Sequence, residues 1–185
     1  MSKLLKPSEL NARINSGKVL VECYKKTQDL GFLKKAISML LFREHGLENY
    51  QPLYISHGAI NALGTKNAGD LMRHLSVPRS RIFPATSGKI RKMGHDYADF
   101  VVEHVVDVST MVNHLLETDI ADLEKEVYNL GRTCPICIVT KEEDKRLKKS
   151  NRKNVGNPWK PYDDARIHRT KIRKYCGPLE IDGHA

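Results

Sequence analysis

What this 185-residue chain has little of narrows its class first. Its four cysteines, Cys23, Cys134, Cys137 and Cys176, are irregularly spaced and do not make the dense framework of a small secreted disulfide domain. No run approaches the roughly 18 consecutive apolar residues that a membrane-spanning helix needs. The opening Met1-Ser2-Lys3-Leu4-Leu5-Lys6-Pro7 lacks the apolar stretch and small-residue cleavage site of a secretory signal. Gly64, Gly69 and Gly88 are isolated, with no phosphate-loop spacing, which argues against an ATPase or GTPase. Neither Ser56-His57 nor Ser109 has a nucleophile-elbow context, so a serine hydrolase is not indicated. These absences leave a cytoplasmic protein with no membrane partner as the expectation. Apolar residues make up 40% of the chain and charged residues 29%, enough to build a core and to disfavour wholesale disorder. At this length a single domain is the default.

Charge is present in quantity and unevenly placed. Between Lys145 and Cys176, 32 residues carry 12 basic groups, opposed only by Asp163 and Asp164. The other 153 residues hold 19 basic and 20 acidic groups and are close to neutral. A near-neutral body with a strongly basic C-terminal segment implies an anionic partner. Nucleic acid fits, because clustered Lys and Arg gain affinity by releasing counterions condensed on phosphates. The candidate contacts are Lys148, Lys149, Arg152, Lys153, Lys160, Arg166, Arg169, Lys171, Arg173 and Lys174, with Trp159 among them. Trp159, Tyr162 and Tyr175 can stack on bases or anchor the segment to the body. A solvated, solubilising tail is the plainer alternative.

Periodicity predicts a mostly helical α+β protein with one short strand region. Ser8 caps a first helix that Ser16-Gly17 ends, and Val19–Val21 could be strand or helix. Leu30, Leu33, Ile37 and Leu40/Leu41 recur at helical spacing up to Gly46, a stripe wide enough for a central core helix. Pro52 to Ile60 is ambiguous, Asn67 to Leu75 is a short helix, and Pro84–Gly88 is a loop. Asp96 to Val108 fits a helix with an apolar side and an acidic side (Asp96, Asp99, Glu103, Asp107). Further helices run to Leu116, with Met111, Val112 and Leu115 inward, and from Asp119 to Leu130, ended by Gly131. Cys134–Thr140 is a strand, and Thr140-Lys141-Glu142-Glu143 has the form of a capping box opening a helix to about Lys149. This divides the chain into a body, 1–149, and an extended basic arm, 150–185, partly draped on the body.

The most suggestive string is Glu103-His104-Val105-Val106, with Asn113 and His114 following. An acid beside a histidine and two β-branched residues resembles the first half of the His-Me finger motif of HNH-type nucleases. The resemblance covers 12 to 40 residues. It implies a metal-dependent nuclease with His104 as general base and Glu103 with His114 or Asn113 on one Mg²⁺ or Mn²⁺ at the scissile phosphate. The chain departs from the family where Asp107 replaces the usual proline and where a second Cys-x-x-Cys is missing. On a helix, Asp99 and Glu103 would share one face with His104 adjacent, also compatible with Mg²⁺. A looser likeness joins Glu103–Val106, Val139–Asp144 with Leu147, and Asn157-Pro158-Trp159 with Tyr162 to a pattern in bacterial and phage proteins of no assigned activity. The non-catalytic alternative is a binding factor, phage-encoded and acting on a host protein complex, with the arm supplying affinity.

Cys134-Pro135-Ile136-Cys137 is half of a four-ligand zinc site. Cys176 with His168 or His184 could complete a structural Zn²⁺ site that ties the arm to the body. A redox pair and reduced cysteines packed on a strand are the alternatives.

Overall fold

The computed structural model describes residues 6–40, 50–77, 82–147 and 156–173. Helix α1, Pro7–Thr27, starts on a proline where the missing N–H costs nothing, and Glu9 accepts the Lys6 N–H at 2.8 Å. It does not stop at Ser16-Gly17, so Val19–Val21 is helical. Ser16 Oγ turns back onto the Ala12 carbonyl at 2.9 Å. Gly17 is where helix α2, Leu30–Leu40, comes closest, since a Cβ there would stand 2.5 Å from Leu40. α2 is not the central helix that its stripe predicts. Ala36 and Leu40 are buried, Leu33 and Ile37 only half-buried, and Leu30 is 61% exposed. The expected run of this helix to Gly46 lies outside the described residues.

The centre belongs to a four-stranded sheet in the order β2-β3-β1-β4. Its strands are β1 (Leu53–Ser56), β2 (Phe100–His104), β3 (Ile136–Thr140) and β4 (Arg169–Arg173). β3 pairs parallel to β1 and antiparallel to β2, while β4 runs antiparallel to β1. Between β1 and β2 lie α3 (His57–Leu63), α4 (Thr65–Leu75) and α5 (Ile82–Lys92). α6 (Val108–Glu117) and α7 (Leu123–Thr133) lead to β3, and α8 (Lys141–Leu147) and α9 (Lys160–Asp164) lie between β3 and β4. The mixed helix-and-strand class is as the sequence predicts, but the single strand region expected at Cys134–Thr140 is one of four strands. Among the described residues no helix is long and apolar enough to cross a membrane.

Three further local expectations are overturned. The predicted loop at Pro84–Gly88 is the middle of α5, where Ile82, Thr86 and Ile90 are buried at four-residue intervals. Pro84 falls in the first turn, where it is tolerated, and Thr86 Oγ bonds the Ile82 carbonyl at 2.8 Å. The predicted helix Asp96–Val108 is instead a 3-10 turn, Tyr97–Asp99, followed by β2. β-branched valines favour the pleated backbone, so the acidic stripe is not a helix face and Asp99 and Glu103 do not share one. Finally, residues 156–173 are no extended arm. They form α9 and the edge strand β4, with Ile172 packed beneath the sheet.

The core divides into three clusters. One gathers α1, α2, α6 and α7 around Leu10, Ile14, Met111 and Val127. The second lies on one sheet face, where Ile55, Val102 and Ile138 meet Leu71, Leu75 and Ile82 of α4 and α5. The third lies on the opposite face, where Val105, Cys137 and Val139 meet Leu147, Tyr162 and Ile167.

Candidate functional site

Strand register assembles a row of chemically active side chains. Glu103 of β2 stands opposite Cys137 of β3, Cys137 opposite Tyr54 of β1, and Tyr54 opposite Lys171 of β4. Because side chains alternate along each strand, all four lie on the face covered by α8 and α9. The Tyr162 hydroxyl, from α9, donates to the buried Glu103 carboxylate. Burial, reinforced by the negative charges of Glu103 and Glu143, pushes the Cys137 thiol well above its ordinary value. A thiol held protonated in this way is a packing group rather than a nucleophile.

The same face carries a second buried carboxylate. Glu143 accepts the Thr140 N–H at 2.9 Å while Thr140 Oγ1 accepts the Glu143 N–H at 3.2 Å, the capping box that the sequence predicts. Glu143 also accepts a short hydrogen bond from Ser56 Oγ, which in turn caps α3 by accepting the Ala59 N–H at 2.9 Å. Gly58 makes this approach possible, since a Cβ there would meet the Glu143 carboxylate at 2.4 Å. One carboxylate thus ties β3, α8 and the start of α3 together.

At the outer end of the row the aromatic and basic residues interlock. Trp159 meets Tyr54 edge-on at 4.7 Å and Tyr162 at 5.1 Å. The Arg169 guanidinium lies 3.9 Å over the Trp159 ring and pairs with Asp163 at 2.7 Å. Lys160 pairs with Asp164 at 2.9 Å, and Arg173 is buried. The segment's two acids each neutralise one of its own bases. Arg146, Arg166 and Lys171 are exposed and have no carboxylate partner among the described residues. Lys148, Lys149, Arg152, Lys153 and Lys174 lie outside the described residues.

His104, next to Glu103, faces the other way. Its ring packs 5.3 Å from Phe83 of α5, and burial pushes it down to about 4. Its Nδ1 is buried with no hydrogen-bond partner among the described residues. His114 stands in the α6–α7 layer, its Nε2 2.9 Å from Glu126, and that hydrogen bond lowers the Glu126 carboxyl. Asn113 is exposed on α6. Glu103, His104 and His114 are therefore held by three different sets of neighbours. Cys134 and Cys137 stand in separate core clusters, and burial lifts the Cys134 thiol to about 11. The His168 ring lies 5.9 Å from that of His57, tilted by 36°. Cys176 and His184 are outside the described residues. Among the described residues no three of His, Cys, Asp or Glu are grouped to hold a metal.

The features missed from the sequence are Tyr54, Ser56 and Gly58. Their shared signal is faint: a polar residue ending a short apolar run, then a glycine two positions on. Comparison with protein-family models, curated proteins and solved structures finds no match to this chain.

Proposed function

We propose that this protein binds nucleic acid, with the basic C-terminal segment supplying contacts to phosphates. The carrying observation is the charge division. Twelve bases face two acids between Lys145 and Cys176, and both acids are spent on Lys160 and Arg169. What remains outward is cationic, on a strand and helix anchored to the sheet by the Trp159 cluster. Trp159 serves here as an anchor, because its ring is enclosed by Arg169, Tyr54 and Tyr162. The test is fluorescence anisotropy of the full chain with labelled single strands and duplexes of DNA and RNA across salt. Engagement of Arg146, Arg166 and Lys171 on duplex DNA gives a slope of log K against log salt of about −3, at roughly 0.9 per phosphate. Absent or salt-independent binding overturns the reading.

The second reading is a metal-dependent nuclease of His-Me finger type. One observation favours it: β2 and β3 pair antiparallel and α8 follows, a strand-strand-helix frame around Glu103. The residues assigned to this chemistry do not meet: Glu103, bonded to Tyr162, and the base His104 point to opposite faces, while His114 pairs with Glu126 and Asn113 is exposed on α6. A structural Zn²⁺ meets the same difficulty at Cys134 and Cys137. Divalent-metal-dependent cleavage of plasmid or RNA, lost on His104→Ala, would put the nuclease first. Binding without cleavage leaves the binding protein.

A further inference from the structure

The turn that leaves α9 carries an anomaly in backbone conformation. Among the described residues two non-glycine residues have positive φ, Gln28 at 59° and Arg166 at 55°. This left-handed region is where glycine closes helices most easily, because a Cβ crowds the adjacent carbonyl there. Gln28 has a local reason to stand where it does: it closes α1, and its side-chain amide donates to the Lys25 carbonyl at 3.2 Å. Arg166 has none. Its N–H and the Ile167 N–H close the turn onto the Asp163 and Tyr162 carbonyls, bonds that glycine would make equally well. Its guanidinium is exposed and, among the described residues, makes no hydrogen bond, ion pair or ring contact.

A second cation is set against the same turn from another element. Arg146 of α8 is exposed and donates from Nη1 to the Ala165 carbonyl at 3.0 Å, the oxygen of the peptide group that joins Ala165 to Arg166. A guanidinium from α8 thus bonds the turn whose next residue is itself an arginine. The acids within the segment, Asp163 and Asp164, are already paired with Arg169 and Lys160. Two arginines at one turn with no carboxylate partner among the described residues, one of them at a position better suited to glycine, do not serve folding. They complement an oxyanion that accepts several N–H groups, as a phosphate does from arginine.

We infer that the Arg146–Arg166 turn is a phosphate-binding point for the nucleic-acid backbone, with Arg166 the contact and Arg146 the second charge. This rests on the nucleic-acid reading above. Arg166→Gly suits the test because glycine accepts the backbone conformation while the charge is removed. The full chain carrying Arg166→Gly should melt no lower than the wild type. It should bind duplex DNA more weakly, with a salt slope shallower by about 0.9. Arg166→Lys should keep the wild-type slope, since a point charge still neutralises the phosphate. Wild-type chain that binds no nucleic acid would sink the broader reading and this one with it. Tight wild-type binding with an unchanged slope in Arg166→Gly would sink this inference alone. Arg166-dependent binding to phosphatidylglycerol vesicles but not to nucleic acid would reassign the turn to a lipid headgroup and overturn it as stated.

Discussion

The two faces of the sheet are held by different physics. On the face toward α3, α4 and α5, Ile55, Val102, Ile136 and Ile138 meet Leu63, Leu71, Leu75, Ile82 and Ile90 in an apolar seam. On the face toward α8 and α9, buried carboxylates are bonded to neighbours, Glu103 to Tyr162 and Glu143 to Ser56 and Thr140. The apolar seam is non-directional and proportional to buried area, so many sequences could supply it. The polar seam is directional, and losing one partner leaves a charge or donor stranded in low dielectric. One strand serves both faces, which is why Glu103 and His104, adjacent in sequence, have unlike surroundings.

The largest expected effect that sharpens this contrast is on the apolar side. Ile138→Ala at the fully buried centre of β3 should destabilise by about 2–5 kcal/mol, read by denaturant melting. A loss below about 1 kcal/mol would mean that the seam is not the main support.

His104 comes next, as the one titratable group facing that seam from β2. Burial holds its folded pKa at about 4 against an ordinary 6.5, so the unfolded chain takes up the proton first as pH falls. Stability should therefore decline from about pH 6.5 down to about 4 and level off below. The full loss is roughly 3 kcal/mol, at about 1.4 kcal/mol per pH unit. The difference in melting between wild type and His104→Phe, followed from pH 7.5 to 4, isolates this slope. Parallel curves would place the ring in water.

On the polar face, Tyr162→Phe removes the hydroxyl and leaves Glu103 buried without that donor. A cost of about 1–3 kcal/mol is expected, and the double variant Tyr162→Phe/Glu103→Gln should recover part of it. Smallest is Lys160→Gln, which breaks an exposed ion pair with Asp164. It should shift stability by no more than about 1 kcal/mol, and less at high salt. A larger shift would make that pair part of the seam rather than its surface.

Elements with strong local chemistry were legible from residue order. Thr140 and Glu143 form the capping box that their spacing announces, and the β-branched run after Cys134 is a strand. α4 and α6 also follow their apolar periods, because an amphipathic stripe has one way to bury itself. β2 resembles a helix in residue order because Asp96, Asp99, Glu103 and Asp107 mimic a helix face at spacings of three and four. The alternation Phe100, Val102 against Val101, Glu103, Val105 was the competing signal, and β-branching decided it. β4 was hidden by its charge. Arg169-Thr170-Lys171-Ile172-Arg173 alternates with a period of two, yet its composition resembles a solvated tail.

Residue order by itself determined the mixed class, the capped α8, the buried β3 and the concentration of positive charge after Lys145. These depend on neighbours a few positions apart, where propensity and spacing act directly. Only the tertiary structure decided that Glu103 meets Tyr162 across 59 positions and that Glu143 meets Ser56 across 87. Strand register and alternation set those meetings. They sent His104 to the face opposite Glu103. Such choices follow from which strand pairs with which, and pairing between distant segments leaves no local mark on the residues that it brings together.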